Sequence, residues 1–309
     1  VPATPPSEMP GVTLLERGWL SSNSILLHGA GEGAVLIDAG HCVHAGQTVA
    51  LVQHALQGEA LRALVNTHLH SDHCGGNAAV QRHFGCTLHM PPGDWDAVQA
   101  WDESRLSYRA TGQRCEPFVP DGRMRPGDSL RVAGRTWKAL AAPGHDPHSL
   151  IFFDDQDGIV ITADALWEHG FGIVFPELDG AAAFDEVAAT LDLIESLGAR
   201  RALPGHGAAF SDVQGALVRA RQRLAAFRAD PQRHARHAMK ALISFHVMEV
   251  GHEPLHALQT WLLAAPLYGQ VWERLGAPGG SLAAYGQTLV EDLCKAGVLQ
   301  RREGEIFSA

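Results

Sequence analysis

Residues 66–76 read NTHLHSDHCGG: Asn66, Thr67, His68, Leu69, His70, Ser71, Asp72, His73, Cys74, Gly75 and Gly76. Three histidines and an aspartate fall within six positions, and two glycines follow at once. A spacing of two puts His68 and His70 on different sides of a helix, but lets both turn toward one point from an extended or looped segment. The paired glycines let the backbone pack closely where a helix begins. Imidazoles and carboxylates gathered this way are natural ligands of a borderline divalent metal such as zinc. A lone histidine would be read as an ordinary core or surface side chain. Four ligand-type residues in one loop are not.

Outward from this loop the chain alternates strands and helices. Upstream, WLSSNSILLHGAGEGAVLIDAG predicts a hairpin whose turn lies at Gly29 to Gly33, and TVALVQHALQG predicts a helix stopped by Gly58. LRALVN is a short buried strand leading straight into the histidine loop, and GGNAAVQRHFG a helix closed by Gly85. Downstream, RTWKALAAPGHDPHS is a strand ending in a histidine loop and GIVITADAL an apolar strand ending at Asp164. FDEVAATLDLIESLG is an amphipathic helix, and RRALPGHG a strand ending at His206. This order predicts an α/β layer structure with its polar residues collected at strand ends.

From about Arg219 the pattern turns helical. Leu282, Tyr285, Leu289 and Leu293 recur at three- and four-residue spacing, and VLQRREGEIFS reads as a hairpin turning at Gly304, so the tail looks like a winged helix. Residues 219–309 carry eleven Lys/Arg against eight Asp/Glu, leaving thirteen against twenty-six before them. That shift supports a boundary between a catalytic domain, 1–218, and a helical C-terminal domain, 219–309. Between Pro91 and Gly127 an irregular insertion with Trp95, Trp101, Tyr108 and Phe118 is either a pocket wall or a helix pair with its own apolar cluster.

With 46% hydrophobic and 19% charged residues, the chain has ample apolar surface to bury and no disordered composition. A formal charge of −10 disfavours nucleic acid or an anionic membrane as the main partner. The five cysteines are scattered and form no CxxC pair, which fits reduced thiols in a cytoplasm. The Pro-rich start VPATPPSEMP has neither a charged n-region nor an apolar h-region, so no export signal or membrane span is expected. A small-molecule substrate is the expected partner, and a homo-oligomer is compatible with the sequence.

PGHDPHS (His145), TADAL (Asp164) and LPGHG (His206) complete the set begun by His68, His70, Asp72 and His73, with LIDAG around Asp38. In this HxHxDH motif and the ordered residues after it, the chain resembles the metallo-β-lactamase-fold superfamily, and within it the glyoxalase II-like hydrolases, over about Gly11 to Phe210. The resemblance implies a four-layer αββα sandwich. It implies a first metal held by His68, His70 and His145, a second held by Asp72, His73 and His206, and Asp164 bridging them. The implied cofactors are two divalent ions, zinc first, with iron or manganese accepted by the same donors. The implied reaction is attack by a metal-bridging hydroxide on the carbonyl of a thioester, lactone or similar ester, with Asp72 also moving a proton. Asp38 and Thr67 are expected to orient ligand imidazoles. His148 is a candidate pocket residue or an exposed loop histidine. His41, His44, His83, His89, His169 and His237 have no ligand spacing and stay unassigned. Trp167, Phe171 and Phe175 offer apolar contact to a substrate or belong to the core.

The chain also departs from that pattern. Glyoxalase II-like enzymes have GHTxGH where GHDPHS stands, and GD where Ala163-Asp164 stands; the basic residues by which their C-terminal helices bind glutathione have no match here. Two other readings follow. Winged-helix extensions occur on superfamily members that include an endoribonuclease, and Arg219, Arg221, Arg223 and Arg228 could meet phosphates. Persulfide dioxygenase relatives use one iron, on the equivalents of His68, His145 and Asp164.

Overall fold

The computed structural model describes residues 9–309; nearly all of the Pro-rich start lies outside them. Two mixed sheets pack face to face. The first runs in chain order, β1 (Val12–Leu15), β2 (Ser24–Leu27), β3 (Ala34–Ile37), β4 (Leu61–Val65), β5 (Thr87–Met90) and β6 (Gly122–Arg123). β1 to β3 are antiparallel, with Ile25 opposite Ile37, and β3 to β6 are parallel. The second contains β7 (Ser129–Val132), β8 (Arg135–Ala141), β9 (Leu150–Asp154), β10 (Ile159–Ala163) and β11 (Arg201–Pro204), in the order β11-β10-β9-β8-β7. Only β10 and β11 are parallel neighbours there; Val160 lies opposite Phe153 on β9.

The period of two along each strand divides the core into layers. Val35 and Ile37 of β3 meet Phe152 of β9, Ile159 and Ile161 of β10 and Trp137 of β8 between the sheets. Their neighbours Ala34 and Leu36 face the other way, onto α1 (Ala45–Leu56). α2 (Ser71–Cys74) and α3 (Asn77–Phe84) follow β4, and Ala78 and Val80 of α3 join the same layer. Strands covered on both faces are apolar throughout, which is why AVLI and IVITA show no alternation in sequence. Burying a side chain the size of Phe152 contributes about 2–3 kcal/mol.

The insertion forms α4 (Trp95–Ala100) and α5 (Tyr108–Thr111). Trp101, Tyr108 and Phe118 pack into the outer core of the first sheet rather than into a cluster of their own, and the insertion's aromatic residues stay out of the pocket wall. On the second sheet's outer face, α6 (Phe175–Leu178) precedes α7 (Phe184–Ser196), and α7 packs with α8 (Val213–Ala229) through Val187, Leu191, Leu217 and Leu224. The result is the expected αββα sandwich.

Asp230 ends α8 and caps α9 (Pro231–Val250), accepting the Arg233 N–H at 3.0 Å. A further apolar cluster joins α9 to α10 (Leu255–Ala264), α11 (Pro266–Arg274) and α12 (Leu282–Lys295). A small sheet, β12 (His252–Pro254), β13 (Leu299–Arg302) and β14 (Glu305–Ser308), completes this region in the order β12-β14-β13. The hairpin was legible at Gly304; β12 was not. Among the described residues no helix is long and apolar enough to cross a membrane.

Candidate metal centre

Every ligand candidate follows a strand end on one rim of the sandwich. His68 to His73 follow β4, His145 follows β8, Asp164 follows β10 and His206 follows β11. The close approach at Gly75-Gly76 is real: a Cβ on Gly76 would lie 2.3 Å from the Ala39 carbonyl oxygen. At Gly205 a Cβ would lie 2.2 Å from Asp164 Oδ1 and 2.9 Å from His73 Cε1, so only glycine lets the His206 loop sit against the centre. Asn23 holds that loop, its side-chain amide donating to the carbonyls of Pro204 (2.9 Å) and Gly207 (2.7 Å).

The seven residues form two groups. Donor atoms of His68, His70 and His145 lie within 4.8 Å of one another, as do those of Asp72, His73, Asp164 and His206. His145 Nε2 is 2.8 Å from His70 Nδ1 and 3.3 Å from His68 Nε2. Asp164 stands between the groups, with Oδ2 3.4 Å from His145 Nε2 and Oδ1 3.4 Å from His73 Nε2. His206 Nε2 is 3.0 Å from Asp72 Oδ2.

Neighbouring acceptors set the tautomers. Asp38 Oδ2 accepts the Thr67 hydroxyl at 2.7 Å and His73 Nδ1–H at 2.7 Å. With its own proton spent on Asp38, Thr67 Oγ1 accepts His68 Nδ1–H at 3.0 Å. His145 Nδ1–H donates to the Ile173 carbonyl at 2.5 Å. The Nε2 lone pairs of His68, His73 and His145 therefore point inward, and His73 Nε2 is buried with no hydrogen-bond partner. Lone pairs converging without a proton between them are what a cation requires. Charge agrees, because the carboxylates of Asp38, Asp72 and Asp164 are buried around His73, and two dications would compensate them. The residues present fit a pair of divalent ions.

Burial, then the neighbouring imidazoles, hold His68 well below its ordinary value, and burial and His145 bring His70 down to about 3. Burial also pushes His73 down, but Asp164, Asp38 and Asp72 outweigh it and hold the ring well above its ordinary value, a pull on positive charge at Nε2 that a bound cation would meet in place of a proton. For Asp72, burial pushes up, yet His73 and His206 bring the carboxyl to about 2. Burial pushes Asp164 up too, but His73 and His206 hold it well below its ordinary value, so Asp72 and Asp164 are both carboxylates at neutral pH.

A cavity of about 720 Å³ opens beside the centre, bordered by His70, Asp72, His145, Asp164 and His206. Trp167, Phe171 and Phe175 line it, and of the insertion only Gln113 does. His148 does not; it is exposed. Four features went unread in the sequence. Trp19 stacks on His206 (centroids 5.4 Å, planes 13° apart), and Trp167 Nε1–H donates to Asp164 Oδ1 at 3.2 Å. Asp146 Oδ2 lies 3.9 Å from His70 Nε2, and burial and Asp94 push its carboxyl up to about 6. The far wall comes from α9, through Leu242, Phe245 and Met248. None of these follows a local pattern; each is created by tertiary packing.

The family model described as Metallo-beta-lactamase superfamily matches residues 17–206. Among curated proteins, a hydroxyacylglutathione hydrolase of Rhodopseudomonas palustris (strain ATCC BAA-98 / CGA009) is 29% identical over 119 residues, 38% of this chain. The chain spans only 39% of that relative's length. Among solved structures, the metallo-beta-lactamase family protein TTHA1429 from Thermus thermophilus is similar in fold over 97% of this chain and 99% of its own (TM-score 0.57, 22% identity). TTHA1623, solved in a di-iron-bound form, is 28% identical over 65% of this chain and 95% of its own (TM-score 0.53).

Proposed function

The chain belongs to the metallo-beta-lactamase superfamily, and from that premise we propose that it is a binuclear metallo-hydrolase acting on the carbonyl of an ester-type substrate, a thioester or lactone. The observation that carries this reading is the pair of donor groups with Asp164 between them. The di-iron form of TTHA1623 and the hydroxyacylglutathione hydrolase relative support it. When bound, two divalent ions would supply a hydroxide at neutral pH and polarise a carbonyl oxygen.

The protein's own residues divide the remaining work. His68 Nε2, His70 Nδ1 and His145 Nε2 would hold one ion, and Asp72, His73 Nε2 and His206 Nε2 the other, with one Asp164 oxygen toward each group. Asp72 also borders the cavity, where a carboxylate can take the proton released during attack. Asp38 and Thr67 fix which imidazole nitrogens are free. Trp19, Trp167, Phe175 and Phe245 give the cavity apolar walls that exclude water from a bound substrate.

In this reading the C-terminal unit expected at residues 219–309 is winged-helix-like, with α10 to α12 as its helices and β13-β14 as its wing, while α8, which that boundary cuts, packs with α7 on the sandwich. The nuclease alternative loses support from the arginines of α8. Arg221 pairs with Asp192 and Glu195, Arg228 with Asp185, and Arg219 with Asp212, so three of the four are matched by carboxylates. Cytoplasmic placement rests on the five free cysteines.

Metal content per chain, measured with turnover of thioester, lactone, persulfide and single-stranded RNA substrates, tests the proposal. Two ions and thioester or lactone hydrolysis are expected, lost together in Asp164→Ala. A single iron with oxygen consumption, or full turnover in Asp164→Ala, would refute it.

A further inference from the structure

We infer that the cavity beside the metal centre recognises substrates bearing a negatively charged oxyacid group, held by Arg223. The inference rests on the cavity being the substrate site of the proposed hydrolase.

Arg223 is the only lysine or arginine among the residues lining the cavity. Unlike the other three arginines of α8, it meets no carboxylate among the described residues. Its Nη2–H donates to His237 Nε2 at 2.7 Å, and its Nε is buried without a hydrogen-bond partner. The guanidinium carbon sits 5.7 Å from the Phe171 ring centroid and 5.3 Å from that of Phe227. Burial and then Arg223 push His237 down to about 4, so the ring is neutral and free to accept. Two aromatic rings and a neutral imidazole fix the orientation of the fork without neutralising it. Glu168 and His169 border the cavity too, without pairing with Arg223 among the described residues; a guanidinium so placed beside Phe171 and Phe227 is completed by an anion, which it can grip through two parallel N–H donors.

Its position suits a substrate reaching the metal centre. A Cβ on Gly170 would lie 2.9 Å from Arg223 Nη1, and a Cβ on Gly172 would lie 2.4 Å from His145 Nδ1. Arg223 and His145 thus touch the two ends of one three-residue stretch, whose Cα atoms span at most about 7 Å. A carbonyl over the Asp164 side of the cavity and an anionic group on Arg223 fit a molecule with a spacer of a few atoms.

The test uses the zinc-loaded full chain and three S-phenyl thioesters of one length, ending in a carboxylate, a methyl ester or a phosphonate. An anionic probe should exceed the methyl ester in kcat/KM by about 30- to 100-fold, the range expected for a buried charged pair. Whichever anion leads identifies the oxyacid. In Arg223→Met the preference should collapse to within about threefold. Arg223→Lys, which keeps the charge without the fork, should retain an intermediate preference and stands in if the methionine variant does not fold. Calorimetric binding of glutarate should weaken in step with the lost preference. Hydrolysis with no anion preference, or a preference that survives in both variants, overturns the inference and leaves the hydrolase reading intact. If no thioester is hydrolysed, glutarate decides: binding weakened by Arg223→Met upholds the anion site while the hydrolase reading falls, and unchanged binding overturns the anion site too.

Discussion

Asp38→Asn removes the carboxylate behind the metal centre while keeping the size and backbone of that position. Asp38 lies just past β3 with φ of +58°, a left-handed conformation that aspartate and asparagine both tolerate, so the backbone is not perturbed. Its Oδ1 accepts the Thr67 backbone N–H at 2.9 Å, and its Oδ2 accepts both the Thr67 hydroxyl and His73 Nδ1–H. An amide must place its NH2 against one of these sets of donors. If it faces His73, that ring must move its proton to Nε2, the atom aimed at the Asp72, His73 and His206 group. If it faces Thr67, a buried backbone N–H loses its acceptor. Losing one charge-assisted bond in either orientation destabilises the fold by about 1.5–3 kcal/mol. Loss of the carboxylate behind His73 should weaken its ion by about 10- to 100-fold, or roughly 1.4–2.8 kcal/mol. Zinc titration against a chromophoric chelator reads the two sites separately. The ion on the His73 side should weaken by that factor, and the His68, His70 and His145 ion by much less. A folded variant that binds both ions with wild-type affinity would refute the reasoning.

Ala163, at the end of β10, has φ of +45°, which costs alanine about 1–2 kcal/mol, against the roughly 0.5–1 kcal/mol that glycine loses in chain entropy. Ala163→Gly should therefore raise stability by about 0.5–1 kcal/mol in urea denaturation; a drop would refute the strain. Phe152→Ala, at a fully buried position between the sheets, should lower stability by about 3–5 kcal/mol in the same assay. His234 is buried and accepts the Val174 N–H at 3.1 Å, and burial, then His237 and Arg223, push it from 6.5 down to about 4. The unfolded chain takes up this proton near 6.5 and the folded chain only near 4, so stability should fall as pH drops through that window, by up to about 3 kcal/mol. His234→Gln should flatten the pH dependence of the urea midpoint; an unchanged slope assigns it to other groups.

What the sequence disclosed was what the chain keeps together or marks with a pattern. His68 to His73 supply four of the seven candidate ligands from one loop, and His145, Asp164 and His206 each follow a strand that can be recognised by its apolar run. Asp38 was legible because LIDAG ends a strand, and it and Thr67 were expected to orient ligand imidazoles; that one carboxylate holds both Thr67 and His73 is shown by geometry alone. Trp19 and Phe245 were not legible, since residues so far apart meet at His206 only after folding. The insertion was ambiguous for a physical reason: Trp101, Tyr108 and Phe118 have no period, and aromatic side chains serve a core or a pocket equally well. Arg223 drew notice as one of four arginines on a helix, but nothing local separates it from Arg221, whose partners lie on α7.

The indole of Trp19, 56% exposed and stacked on His206, gives the centre its own optical reporter. An excited indole is quenched by a protonated imidazole in contact with it and also senses a nearby paramagnetic ion. Emission from this face would therefore follow the state of one ligand ring without any added dye. Trp167, edge-on to the same ring and bonded to Asp164, extends that sensitivity to the bridging carboxylate. Titrating the two positions separately, with the other changed to phenylalanine, would turn the order in which the ions arrive into a fluorescence record.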